Sequence, residues 1–322
     1  MNTISFSYWQ WYPIEHLGLW LPMRGVTIKH LRYFDALART GGFRRAAEQC
    51  RISQPALSLQ IKEFEGMIGS PLVERGPRSI SLTPLGTAVA AHVTDILVRM
   101  GELEAFTRLA EGGLAGPLRL GLIPTIAPYL LPKLMRTLAS RFPALDVQPR
   151  EAVTERQLEG LLSAQLDMAV LALPVSEPGL HEYPLFSEPF MLVQSSTSGT
   201  PSPGWDLRSL ATMRLILLEE GHCFRDQALS FCNAAGMTTR EIIEVSSLST
   251  LVQMVGAGIG VTLIPQMAVA AESQAAPVTI SPFAPPAPSR TIGLVWRKTS
   301  PLQQDYQQIG DHLAECWQQG LD

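Results

Sequence analysis

Phe43-Arg-Arg-Ala-Ala-Glu-Gln-Cys50-Arg51-Ile52-Ser53-Gln54-Pro55-Ala56-Leu57-Ser58-Leu59-Gln60-Ile61-Lys62-Glu63-Phe64-Glu65 reads as two short helices around a tight turn. Ala46 and Ala47 are small enough to let another helix approach closely. Arg51-Ile52 makes the turn. Ser53 is a good N-cap, and Pro55 sits in the first helical turn, where a missing N–H costs nothing. Ala56, Leu57, Ile61 and Phe64 are expected inward, leaving the other side polar. A capped second helix with one polar side, joined to a short first helix, is a helix-turn-helix.

Upstream, residues 27–39 form an amphipathic helix with Leu31, Phe34, Leu37 and Ala38 on one face. Downstream, Gly69 ends the second helix, and residues 71–82 read as a two-stranded wing with a basic turn at Arg75 and Arg78. Thr83-Pro84 then opens a long helix to about residue 111. Its stripe of Val89, Val93, Ile96, Leu97, Met100, Leu103 and Phe106 is of the kind that a second copy usually buries.

The chain has 322 residues and a net charge of −4. Residues 24–86 carry ten Lys/Arg against five Asp/Glu, a net of +5, and the remainder is −9. A basic head on an acidic body suggests a nucleic-acid-binding module joined to a second domain. No apolar run approaches the length of a membrane span. Four cysteines are too few for a secreted disulfide scaffold and fit a reducing cytoplasm. Residues 1–22 hold Trp9, Trp11 and Trp20 but no Lys or Arg, which is unlike a secretory signal. They read as a tail, or as a start placed too early with Met23 the true first residue.

Gly112-Gly113 to Gly116-Pro117 reads as a hinge. Beyond it strands alternate with helices: strand 118–123, helix 129–140, strand 145–151, helix 154–165, strand 168–173, strand 190–194, strand 215–218, helix 224–235, strand 242–245, helix 247–257, strand 261–264, strand 291–296 and helix 301–319. This pattern predicts an α/β domain with a mostly parallel sheet. The Pro/Ala-rich stretch 275–289 reads as an irregular connector.

Gly221-His222-Cys223-Phe224-Arg225-Asp226-Gln227-Ala228-Leu229-Ser230-Phe231-Cys232 holds two of the four cysteines on one helix, nine positions apart. At a helical rise their Cα atoms lie roughly 13 Å apart, whereas a disulfide needs about 7 Å or less. Joining them therefore requires the helix to unwind. Cys223, at a helix N-terminus near His222 and Arg225, has a setting that favours a thiolate. Cys232 lies in a more apolar run. From spacing alone the pair is either a redox couple or two ordinary buried thiols. Cys50 and Cys316 read as structural.

The 43–65 stretch, with Pro71-Leu-Val-Glu-Arg75 and Leu82-Thr-Pro-Leu-Gly86, resembles the DNA-binding domain of LysR-type transcriptional regulators. Three further stretches, 116–132, 218–232 and 290–297, resemble the peroxide-sensing members of that family. The resemblance implies an α+β chain: a winged helix-turn-helix with a long linker helix, then a two-lobe α/β effector domain like a periplasmic binding protein. The expected division is 1–22 tail, 23–86 DNA-binding domain, 87–113 linker and dimerisation helix, and 114–322 redox-sensing effector domain. Within the last, lobe I is about 117–187 with 290–322, and lobe II about 188–289.

The resemblance also implies a homotetramer built as a dimer of dimers. It implies Cys223 as the peroxidatic cysteine and Cys232 as its resolving partner, with Thr125, Thr154 and His222 around the peroxide and Arg290 near the thiolate. Glu155 and Ser289 stand where His and Arg are more usual. Read from the residues alone, Thr154 also suits a helix cap, His222 a core hydrogen bond, and Arg290 a surface ion pair.

On the DNA side, Gln54, Ala56, Ser58 and Leu59 are placed to reach base edges, beside Ser53 and Pro55 at the helix mouth. Arg44, Arg45, Arg51, Lys62, Arg75 and Arg78 suit phosphates. The expected partners are promoter DNA, hydrogen peroxide, a thiol reductant of glutaredoxin or thioredoxin type and RNA polymerase, with no cofactor, no metal and no membrane. A regulator, not an enzyme, is expected. The competing readings are a LysR-type regulator gated by a small organic effector in the inter-lobe cleft, and a catalytic thiol peroxidase.

Overall fold

The computed structural model describes residues 25–76, 80–110, 114–197, 204–234 and 242–318. Outside them lie the 1–22 tail, Arg78, the hinge glycines Gly112 and Gly113, and the side chains of Arg75 and Cys232. The chain forms two compact units, one ending at Leu97 and the other starting at Val98.

In the first unit, α1 (Ile28–Thr40) starts at a Thr27 capping box and stops at Gly41, whose φ of 63° suits glycine. α2 (Phe43–Gln49) and α3 (Gln54–Ile68) follow, with the Ser53 hydroxyl accepting from the Ala56 N–H. β1 (Val73–Arg75) and β2 (Ile80–Leu82) pair antiparallel as a wing. Glu65 Oε1 accepts from the Leu72 and Val73 N–H groups, which ties the wing to α3. Phe34, Leu37, Ala46, Ala47, Leu57, Ile61 and Phe64 form the core. Ala56, expected inward, is instead exposed, because α3 buries the Leu57, Ile61 and Phe64 side.

α4 (Pro84–Ala110) continues from one unit into the next. The division between the two units falls within this helix. Val89, Val93 and Leu97 join the helix-turn-helix core, whereas Ala105 belongs to the core of the second unit. Ile96, Leu103 and Phe106 are exposed on the single chain.

The second unit runs β3 (Gly116–Leu122), α5 (Ala127–Arg141), β4 (Leu145–Glu151), α6 (Thr154–Leu162), β5 (Met168–Leu173), β6 (Leu180–Ser195), β7 (Leu215–Leu218), α7 (Cys223–Ala234), β8 (Ile242–Val245), α8 (Leu248–Gly256), β9 (Thr262–Pro265), α9 (Val269–Ala275), β10 (Val278–Pro282), β11 (Ser289–Arg297) and α10 (Gln303–Gln318). The main sheet is mixed, which corrects the expected mostly parallel one. β3 pairs parallel with β4 and β5, but β11 lies antiparallel between β5 and β6, and β6 is antiparallel to β9 and β10. The cause is the returning chain: β11 inserts from the far end of the sequence between strands laid down earlier.

Three other expectations are corrected. β6 begins at Leu180 and not at 190, β10 lies inside the supposed connector, and Gly116-Pro117 open β3 where a hinge was expected. Two apolar cores result. One gathers Leu120, Leu122, Met168, Val170, Ile292, Leu294 and Trp296, and the other Phe190, Leu192, Ile216, Phe224, Leu251 and Leu263. β6 contributes to both, so the described second unit has two lobes joined through a continuous strand.

Candidate functional site

The site forms where β3, α6 and α7 end or begin. β3 delivers Ile123, Pro124 and Thr125 in the turn at its C-terminal end, the usual position for ligand sites in open α/β sheets. β7 is fully buried and ends at Leu218. Gly221, at φ 95°, then reverses the chain so that His222 and Cys223 open α7. Together, Thr125, Thr154, His222 and Cys223 line one narrow pocket, closed by Ile123, Pro124, Val153 and Phe224 so tightly that it leaves no room for a water molecule.

Arg290 stands directly behind this pocket. Its side chain is fully buried. Nη1 donates to Thr125 Oγ1 at 2.9 Å and Nη2 to the Thr125 carbonyl at 3.1 Å, while Nε donates to Glu188 Oε2 at 2.9 Å. Its guanidinium carbon lies 5.7 Å from the centre of the Phe224 ring. The surface ion-pair reading of Arg290 is therefore replaced by a buried one, with Glu188 as partner.

Thr154 does not cap its helix. The N-cap position is Val153, and Thr154 Oγ1 is buried without a hydrogen-bond partner of normal geometry. The hydroxyl is nonetheless close enough to Cys223 to favour its thiolate. An uncompensated buried hydroxyl costs about 1–3 kcal/mol.

Electrostatically, the expected thiolate-favouring setting is only half present. Burial pushes the Cys223 thiol up, against the Thr154 hydroxyl, the Arg290 charge and the Phe224 N–H, which all pull it down. Burial, the largest of these influences, wins, and Asp226 adds to it. His222 is buried, and desolvation lowers its pKa against the opposing pull of Glu219, so the ring is held neutral. The sequence reading missed Glu188, which lies in a Ser-Glu-Pro stretch with no chemical motif. It lies directly opposite Arg290 on the adjacent strand, a pairing hidden by the expectation of a mostly parallel sheet.

Cys50 packs against the helix-turn-helix core, and Cys316 lies 3.7 Å from His312 Nε2 on α10. Cys232 belongs to α7 by its backbone, two and a half turns beyond Cys223.

On the first unit, Arg45, Arg51, Gln54, Pro55, Ala56, Leu59 and Lys62 are exposed and Ser58 half-buried. Arg44 is also exposed and pairs with Glu48. α3 thus presents a polar face opposite its buried one. Arg51 sits at the turn with a φ of 56°. Gln60 and Glu63 hydrogen-bond each other.

Sequence comparison places these features in a family. Residues 28–87 match the model of the bacterial regulatory helix-turn-helix protein, lysR family, and residues 111–318 match the LysR substrate binding domain. The chain belongs to the LysR family, in its OxyR branch. It is 39% identical over 296 residues to a probable hydrogen peroxide-inducible genes activator of Streptomyces viridosporus, covering 91% of this chain and 95% of the relative. It is 39% identical over 289 residues to the DNA-binding transcriptional dual regulator OxyR of Escherichia coli K12, covering 89% and 95%. Among solved structures, full-length OxyR from Pseudomonas aeruginosa, in a cysteine-to-aspartate form, matches with a TM-score of 0.66 at 33% identity, covering 90% of this chain and 95% of that one. A hydrogen-peroxide-bound cysteine mutant of Corynebacterium glutamicum OxyR matches at 0.64 and 32% identity, covering 92% and 94%.

Proposed function

We propose that this OxyR-type chain is a transcription regulator that binds promoter DNA and senses hydrogen peroxide through Cys223. The observation that carries the reading is the shared pocket: a thiol at a helix N-terminus, two threonine hydroxyls and a buried histidine, with an arginine bonded to one threonine. The Cys223 thiolate attacks one peroxide oxygen and the O–O bond breaks. The departing hydroxide takes a proton and leaves as water, with Thr125, Thr154 or His222 donating hydrogen bonds to it. Cys223 becomes a sulfenic acid.

Cys232 then attacks the sulfenic sulfur, expelling the second water and closing a disulfide. Two thiols supply the two electrons that reduce one peroxide to two waters. Because α7 separates the Cα atoms by roughly 13 Å and a disulfide tolerates about 7 Å, closure unwinds α7. That cost in structure on every cycle suits a switch and not a fast catalyst, so the chain acts as a regulator and not an enzyme. A thiol reductant of glutaredoxin or thioredoxin type resets it. Among the described residues no helix is long and apolar enough to cross a membrane, and the chain works in the cytoplasm. The exposed Ile96, Leu103 and Phe106 on α4 support assembly through that helix into a dimer of dimers, which engages RNA polymerase at the promoter.

The test is direct. Full-length protein mixed with sub-stoichiometric peroxide gives a Cys223–Cys232 peptide on disulfide mapping; its absence removes the sensing mechanism. A second reading rests on a cavity of about 400 Å³ between α7 and the strand ends, lined by Leu173, Pro174, Gln227, Ser230, Phe231 and Thr291 among others. That volume fits a small organic effector. On that reading, replacing both Cys223 and Cys232 by Ser leaves induction intact.

A further inference from the structure

Glu188 and Arg290 face each other across the β6–β11 pair, at the point where β6 passes between the two apolar cores. Glu188 is only 4% exposed, and both of its oxygens are taken. Oε2 accepts from Arg290 Nε at 2.9 Å, and Oε1 accepts from the Met267 N–H at 2.7 Å. Arg290 in turn has one edge on Glu188 and the other on Thr125. The guanidinium is therefore fixed on two sides, and its charge is matched at contact distance by a carboxylate, both side chains being buried. At that range the partner's field cancels most of what the arginine projects farther away.

We propose that Glu188 is a positioning residue of the peroxide site: by clamping Arg290 against Thr125 it holds that positive charge back from Cys223 and limits how much thiolate the pocket presents. The inference rests on Cys223 being the peroxide-reactive thiol. It assigns to a residue outside the pocket the balance between a resting sensor and one that fires at background peroxide. Arg290 from β11 and Asp226 from α7 itself act on Cys223, with opposite signs. His222 adjoins it and faces Glu219. Tyr129 from α5, hydrogen-bonded to Glu272 of α9, lies close enough to feel Arg290. Of these groups, Glu188 alone bonds the guanidinium through a carboxylate.

The test measures alkylation of Cys223 by iodoacetamide as a function of pH, read by mass on the peptide carrying it, in the full-length chain. Glu188→Gln keeps the shape and removes the charge. Its profile moves to lower pH, with about a tenfold rise in thiolate at neutral pH, equal to about 1.4 kcal/mol. Arg290→Gln moves the profile the other way. The Glu188→Gln/Arg290→Gln pair lies close to the parent, because neither charge remains to act. A Glu188→Gln profile that superimposes on the parent overturns the proposal. If the single variants do not fold, the pair decides alone, since a tenfold displacement of its profile toward higher pH means that Arg290 acts unopposed in the parent. Alkylation needs no peroxide. A parent that alkylates normally but never forms the Cys223–Cys232 peptide therefore loses the sensing mechanism, while the profiles still decide the role of Glu188.

Discussion

Arg290 Nη1 donates to Thr125 Oγ1 across 2.9 Å, in a site where the arginine side chain has no exposed surface. The threonine oxygen is an acceptor in that bond, so its own proton is left to the pocket it lines. On the proposed mechanism, a hydroxyl fixed in this way is a preorganised donor for an oxygen that gains negative charge as the O–O bond breaks.

Thr125→Val should therefore lower the rate of peroxide reduction about a hundredfold, the usual loss for one preorganised donor. It also leaves a buried guanidinium N–H unpaired, which costs about 1–3 kcal/mol of stability. Thr125→Ser restores both. Stopped-flow peroxide consumption and urea unfolding on the same three proteins check this. A valine variant with parental rate would show that the hydroxyl plays no part.

Thr154 gives the opposite pairing of signs. Its hydroxyl is buried without a partner of normal geometry but supports the Cys223 thiolate. Thr154→Val removes an unsatisfied polar atom and keeps the volume, so stability holds or rises. The thiolate loses a donor, so the pH at which Cys223 becomes reactive moves up and the rate at neutral pH falls about tenfold. Gain in one measurement and loss in the other would mark a group kept for chemistry.

The exposed face of α3 makes a separate prediction about DNA. Lys62→Ala removes one phosphate contact, so the slope of log affinity against log salt falls by about 0.9, and binding weakens to all sequences alike. Gln54→Ala leaves that slope unchanged and relaxes base preference at one position, by about 1–3 kcal/mol. Titrations at several salt concentrations on matched and mismatched duplexes separate the two.

Local signals carried the helix-turn-helix. Ser53, Pro55 and Gly69 mark the ends of α3, and the Leu57, Ile61 and Phe64 spacing marks its buried face. The pocket was legible only through the resemblance, because Thr125, Thr154 and Cys223 are far apart in sequence and meet through sheet topology. The first half of β6 was missed because Pro184 and Pro189 argue against a central strand; here they fall where the register shifts and where the strand changes partners. Missing that half also hid Glu188, which lies in it.

His222 predicts a stability change with pH. Burial lowers its pKa below 6.5, so the unfolded chain takes up a proton more readily than the folded one. Stability is therefore full above pH 6.5, is lost as pH falls from there to the folded pKa, and levels off below it. His222→Gln removes this dependence. Urea midpoints between pH 8 and pH 5 should fall for the parent and stay flatter for the variant.

On the proposed mechanism, the helix that carries both cysteines sets the potential of the switch. α7 is folded in the described state, and its melting is part of the cost of joining Cys223 to Cys232. Ser230 is exposed on α7, so substitutions there change helix propensity with little effect on packing. Alanine and glycine differ by about 1 kcal/mol in a helix interior. Ser230→Ala stabilises the reduced state and should make the disulfide more oxidising. Ser230→Gly does the reverse, and the gap between the two variants should be about 20 mV. Equilibration against a glutathione series, with the two forms separated by alkylation and mass, measures that gap. Equal potentials would mean that α7 keeps its turns when the bond forms, and the unwinding mechanism would fail.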